Sequence, residues 1–185
     1  MTRDEAYRLM LDKVQNQNQN LRKHILAVEA VMRRLAVRFG EDPERWGLAG
    51  LLHDIDYETT KDDPARHSQE GADMLAQMGL DPDIVYAVRV HNEHHGLSRN
   101  SMMDKALHAC DPLTGLIVAA ALIRPERKLA IVDVPFIMNR FGEKGFARGA
   151  NRETIKHCAD LGLSLEEFIG LGLEAMKGIP GELGL

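Results

Sequence analysis

The sequence predicts an all-α protein folded as a single domain. Three observations carry this: apolar residues recur at steps of three and four, helix start and stop residues bracket those segments, and no convincing run alternates with period two. The 185 residues can bury a sizeable core, and 44% hydrophobic with 28% charged residues is a globular balance rather than a disordered one.

Thr2, with Glu5 three residues on, forms a capping box for a first helix to about Val14. The polar stretch Gln15 to Asn20 is a connector. Leu21, Ile25, Val28, Met32, Leu35 and Phe39 share one face of a second helix, which Gly40 stops. Asp42-Pro43 supplies an N-cap and a first-turn proline for a third helix, through Trp46, Ala49 and Leu52 and ending near His53-Asp54. A loop with Asp62, Asp63 and Pro64 leads to a fourth helix through Met74 and Leu75, stopped at Gly79. Asp81-Pro82 repeats the start signal for a fifth helix, to about His91. Ser101 with Asp104 opens a sixth, reaching Ile123, with Pro112 inside it as a kink point. Beyond Arg124-Pro125, shorter helices are expected at roughly 133–141, 151–161 and 164–177, the last with Ser164 and Glu167 as a capping box. Ile131 to Val134 could pass for a strand, but it has no partner.

A net charge of -5 argues against a broad electrostatic footprint for nucleic acid or anionic membrane, while leaving room for a small anionic substrate. Cys110 and Cys158 are far apart, so no disulfide framework is expected and a reducing cytoplasm fits. The charged N-terminus lacks the apolar core of a signal peptide, and Leu113 to Ile123 is too short to span a bilayer. The expectation is a cytoplasmic protein with a small phosphorylated substrate, no nucleic-acid partner and no membrane partner, with a homo-oligomer left open.

The informative residues are polar ones on apolar faces. His24 follows Leu21 by three and precedes Val28 by four; His53-Asp54 directly follows Leu51-Leu52; His91 follows Val88 by three; Asp111 follows Leu107 by four. Burying an imidazole or carboxylate is expensive unless it is paired or bound to a metal. One such histidine is more often a hydrogen-bonded core residue than a ligand. Five such groups from four helices can all be satisfied by converging on one cation, as metal sites in helical bundles are built. Mixed N/O ligation without thiolate suits Fe, Mn, Co, Zn or Ni and leaves the choice open.

The order His24, His53-Asp54, Asp111 resembles the H…HD…D signature of the HD superfamily of metal-dependent phosphohydrolases. The text around it, GLAGLLHDIDYE and DKALHACDPLTGL, is similar too. The stretches RHSQEGADML and AVRVHNEHHG resemble members with two additional histidines before the last Asp. The resemblance covers residues 20 to about 123, with a C-terminal extension over about 125–185, and implies an HD-type bundle spanning 1–185. It implies a first divalent metal on His24, His53, Asp54 and Asp111. It also implies a second on His67 and His91, bridged by Asp54, so one or two ions in all. The chain reads HDIDY where cyclic-dinucleotide phosphodiesterases read HDIGK, and it lacks their GYP motif.

Asp56 and Glu58 are candidate acid or base catalysts beside Asp54, or else carboxylates that orient a ligating histidine. For the phosphate, Lys61, Arg66, Lys105 and His95 are substrate-binding candidates. His94 and His95 lie one turn past His91, as an extra ligand, a proton donor or a polar loop. His108 reads as packing or as a ligand's partner, His157 as surface, and Arg148 could reach over the site. The leading expectation is hydrolysis of a phosphate ester or anhydride of a nucleotide or similar small molecule by a metal-activated water. The alternatives are a di-iron oxygenase on the same scaffold and a non-catalytic metal-binding helical module. The C-terminal third could cap the pocket, set substrate choice or form a dimer contact.

Overall fold

The computed structural model describes residues 1–14, 18–143 and 145–185, and every regular element among them is helical. α1 (Arg3–Lys13) begins at the Thr2–Glu5 capping box, with both reciprocal hydrogen bonds formed. Of the connector expected at 15–20, residues 15–17 lie outside the described residues. α2 (Gln19–Phe39) buries Leu21, Ile25, Val28, Met32 and Leu35 along one stripe. It ends at Gly40, whose φ of 72° is the left-handed conformation that glycine adopts without strain. α3 (Pro43–Leu52) and α6 (Pro82–Val90) start alike, each with an aspartate accepting a first-turn N–H just before a proline.

Between them the structure departs from expectation at one point. The segment after Asp54 contains a short helix, α4 (Tyr57–Thr60), where only a loop was expected. Four residues are too few to show periodicity. α5 (Gln69–Gln77) follows, and its N-cap Ser68 has a φ of 69°, rare for a residue with a side chain. The Ser68 hydroxyl, fully buried, donates to the Arg89 carbonyl at 3.0 Å and ties this turn to α6.

α7 (Met102–Leu122) opens at the Ser101–Asp104 capping box and carries Pro112 inside it. Among the described residues it is the one helix long and apolar enough to cross a membrane, yet most of it is buried within the protein. The C-terminal third adds α8 (Val134–Phe141), α9 (Arg152–Lys156) with a 3-10 turn at 157–161, α10 (Leu165–Lys177) and α11 (Pro180–Leu183). Ile131 to Val134, which could pass for a strand, instead joins the end of a 3-10 turn, Leu129–Ile131, to the start of α8.

α2 packs on α3, α7 and α10, and α7 is also covered by α6, α8 and α9. Two glycines permit close helix–helix approaches. A Cβ on Gly50 would stand 2.9 Å from Glu29 Cα, and one on Gly172 would stand 2.9 Å from Leu113 Cδ2. The core cluster is contiguous from Ala6 to Leu183, so the C-terminal third packs into the same core as the motif-bearing helices. At its polar edge, buried Glu29 accepts from Arg3 at 2.6 Å and from Arg33 at 3.0 Å.

Candidate metal centre

Two of the site histidines stand at helix C-termini, where the last carbonyls lack intrahelical partners. His53 caps α3 and donates Nδ1–H to the Gly50 carbonyl at 2.8 Å. His91 caps α6 and donates Nδ1–H to the Val88 carbonyl at 2.6 Å. The same local device therefore fixes both rings with Nε2 turned inward. His24, on α2, has Nδ1 3.1 Å from the Thr114 hydroxyl, which itself donates to the Asp111 carbonyl at 2.9 Å. That hydroxyl thus accepts from His24. His67 donates Nδ1–H to Asp56 Oδ1 at 2.9 Å.

With Nδ1–H committed in all four rings, Nε2 is the atom each turns to the interior, and it presents a lone pair there whenever the ring is neutral. These Nε2 atoms surround Asp54. Its Oδ2 is 3.5 Å from His53 Nε2 and 3.7 Å from His24 Nε2. Its Oδ1 is 3.4 Å from His67 Nε2 and 3.6 Å from His91 Nε2. Asp111 Oδ1 lies 3.1 Å from His24 Nε2 and 4.0 Å from His53 Nε2.

This donor set fits divalent metal. Ligands about 2.1 Å from one ion stand roughly 3–4 Å from each other, the spacing seen here. His24 Nε2 and His53 Nε2 face each other at 3.3 Å; two lone pairs at that distance repel unless a cation or proton lies between them. Two carboxylates at the same point add to the demand for positive charge. Burial favours the neutral form of Asp54, but the charges of His53, His91 and His24 outweigh it and hold the group well below the usual carboxylate range. Asp111 is likewise lowered, against burial, by its hydrogen bond and charge interaction with His24.

Open space reaches the centre from two sides. One cleft of about 450 Å³ is lined by Asn18, Tyr57, His24, Asp54, His67 and Asp111. The other, about 250 Å³, lies between His67, His91 and Asp111 on one wall and Gly149, Asn151 and Thr154 on the other. The C-terminal third thus walls the second cleft. Glu93, at its edge, accepts from Asn151 and Thr154 at 3.4 Å each.

The remaining candidates fall elsewhere. Asp56 is buried behind His67, with Oδ2 accepting the Gly71 N–H at 2.8 Å, so it orients a ring rather than facing the clefts. Glu58 accepts from Asn18 at 2.9 Å and so holds a residue that lines the 450 Å³ cleft. His95 donates to the His67 carbonyl at 2.8 Å and so secures the His67 turn. Arg66 pairs with Glu70 at 2.6 Å on an exposed face, and Lys61 is exposed; neither lines a cleft at the centre. Lys105 lines a separate small cavity with His108. Arg148 is exposed beside Gly149 of the second cleft. Thr114, Tyr57, Asn92, Asn151 and Thr154 went unrecognised in the sequence. Only Thr114, one turn past Asp111, carried a local signal.

Residues 21–130 match the family model for the HD domain, and the chain belongs to the HD domain family. HD domains bind divalent metals, in keeping with the donor set described above. Among curated relatives, ribonuclease Y of Geobacter sulfurreducens is 27% identical over 169 residues, covering 90% of this chain and 32% of that protein. Ribonuclease Y of Pelobacter propionicus is 28% identical over 174 residues, 89% of this chain and 33% of that protein. Ribonuclease Y of Oleidesulfovibrio alaskensis is 32% identical over 98 residues, 53% of this chain and 18% of that protein. The chain therefore spans about a third or less of these relatives. No solved structure gives a significant match.

These relatives overturn the expectation that nucleic acid is not a partner, since their name is that of enzymes acting on RNA rather than on a small phosphorylated substrate. The error came from net charge, which averages over the whole surface and says nothing of a local site.

Proposed function

We propose that this chain is a metal-dependent phosphohydrolase that cleaves phosphodiester bonds in RNA. The observation that carries the reading is Asp54, a carboxylate whose two oxygens face separate histidine pairs, His24 with His53 and His67 with His91. Such an arrangement suits two ions sharing one bridging ligand. Metal held there by these residues would supply a water of lowered pKa and a Lewis acid for a phosphoryl oxygen. The chain's own residues hold the donors in place: Gly50 and Val88 carbonyls, the Thr114 hydroxyl and the Asp56 carboxylate each fix one ring. Asn92, Asn151 and Thr154 offer neutral polar groups along the cleft, where substrate would lie. The ribonuclease Y relatives support RNA as the substrate class.

The test incubates protein loaded separately with Mn, Fe, Co or Zn with an end-labelled RNA oligonucleotide and with DNA of the same sequence. RNA cleavage that is abolished by chelator and by Asp54→Ala supports the proposal. Intact RNA under every metal, or cleavage that persists in Asp54→Ala, overturns it.

A further inference from the structure

On the far side of His108 from the metal centre lies a second cavity, of about 200 Å³, walled by Arg99, Lys105, His108, His157 and Asp160. His108 lines both this cavity and the 250 Å³ cleft at the centre, so the two spaces border one side chain. Its Nδ1–H is committed to the His91 carbonyl at 2.9 Å, and its buried Nε2 has no partner among the described residues. Arg99 Nε is also buried without a partner. A buried polar atom left unpaired carries a desolvation cost, and here two of them border one space.

The cavity is built rather than incidental. Arg99 follows Ser98, whose carbonyl accepts from the Tyr86 hydroxyl at 2.8 Å. On its other side, the Asn100 N–H donates to Asp104 at 3.0 Å. The backbone is thus held on both flanks of Arg99. Lys105 projects from the first turns of α7, and His157 packs against His108 with ring centroids 5.3 Å apart. Neither Arg99 nor Lys105 makes an ion pair with any described residue, although Asp160 stands at the exposed rim. In a chain of net charge -5, two half-buried cations that form no direct ion pair, with Glu93 and Asp104 acting on Arg99 only from longer range, mark a place for an anion.

We infer that Arg99, Lys105 and His157 form a phosphate-binding subsite that takes a phosphate group adjacent to the one presented at the metal centre. The assignment to a substrate phosphate rests on the RNA reading above. Binding of phosphate itself does not.

The experiment therefore has two arms. Metal-free protein is titrated with inorganic phosphate while the imidazole NMR signals of His108 and His157 are followed. The titration is repeated in the Arg99→Gln/Lys105→Gln double variant, with circular dichroism as the check on folding. A saturable shift, weakened about tenfold or more in the variant, is expected. No saturable shift, or equal affinity in a folded variant, overturns the subsite.

In the second arm, kcat and KM are measured with an RNA dinucleotide and a tetranucleotide. The wild type should favour the longer chain through KM, and the variant should bring that ratio toward one. A phosphate shift without any length preference overturns the substrate assignment in favour of free phosphate. A phosphate shift in a protein that cleaves no RNA leaves the subsite standing and removes the proposed function instead.

Discussion

Asp56 and His67 are joined by a 2.9 Å hydrogen bond from the imidazole Nδ1–H to the carboxylate, with Asp56 only 3% exposed behind the ring. The other Asp56 oxygen accepts the Gly71 N–H at 2.8 Å, so the carboxylate fixes a ring and a helix start together. An asparagine at this position can accept from one of these donors but not from both. Partners of this kind typically alter metal affinity by about 10–100-fold when lost. Asp56→Asn should weaken binding by that order at the His67–His91 position and spare the His24–His53 position. Metal titration by calorimetry checks this: one weakened and one unchanged event is expected, and two unchanged events would remove Asp56 from the support of the site.

Gly71→Ala tests the same support from behind. A Cβ there would lie 3.1 Å from Ile55 Cγ2 and 3.2 Å from the Asp56 carboxylate, tighter than ordinary contact. Overpacking of this kind costs about 1–3 kcal/mol. The variant should lose stability in that range by urea unfolding and should also bind less metal than wild type. Stability lost with metal content retained would mean that Ile55 yields and Asp56 stays in place.

The helices were legible because their signals are local. Asp42-Pro43, Asp81-Pro82 and Ser101 with Asp104 each set a helix start from adjacent residues, and the structure places caps at all three. The HD doublet was legible because His53 and Asp54 end a helix directly after two leucines. What escaped notice depends on distant contacts. His95 sits one turn after His91 and reads as a substrate contact, an extra ligand, a proton donor or a polar loop, but its bond to the His67 carbonyl spans 28 residues. Arg66 reads as a loop cation near substrate, yet the chain turns it outward to Glu70. Asn151 and Thr154 reach the cleft from α9 and its N-cap, to which no periodicity pointed.

Metal uptake should weaken as pH falls, because His24 and His91 take up protons on the atoms that bind metal. Burial works against protonating either ring. For His24 the hydrogen bond and charge of Asp111 outweigh it, and for His91 those of Asp54 do, so both pKa values are raised above the ordinary histidine value. In the metal-free protein these protons stabilise the fold below the ordinary histidine value, and that contribution is lost as pH rises through the raised values. A metal needs the same Nε2 atoms deprotonated, so it competes with those protons and releases them on binding. His53, lowered by burial, competes least. Calorimetry in buffers of different ionisation enthalpy should show proton release on loading and affinity weaker by about tenfold or more at pH 6 than at pH 8. Affinity flat across that range would show that neither ring takes part.

The two faces of Asp54 lead to a prediction about stoichiometry. Oδ2 looks toward His24 and His53, and Oδ1 toward His67 and His91, at 3.4–3.7 Å throughout. Mass spectrometry of protein purified without chelator should find about two metals per chain, the number such a bridging carboxylate can serve. His67→Ala removes one donor from the Oδ1 side and should leave about one metal, held by His24, His53, Asp54 and Asp111. His53→Ala should empty the opposite side, and Asp54→Ala should lose the ion on the Oδ1 side, where only His67 and His91 remain, and weaken the other, where His24, His53 and Asp111 still converge. Circular dichroism separates these losses from unfolding, which matters most for fully buried His53. One metal in wild type, retained in His67→Ala and lost in His53→Ala, would reassign His67 and His91 to holding substrate against a single ion.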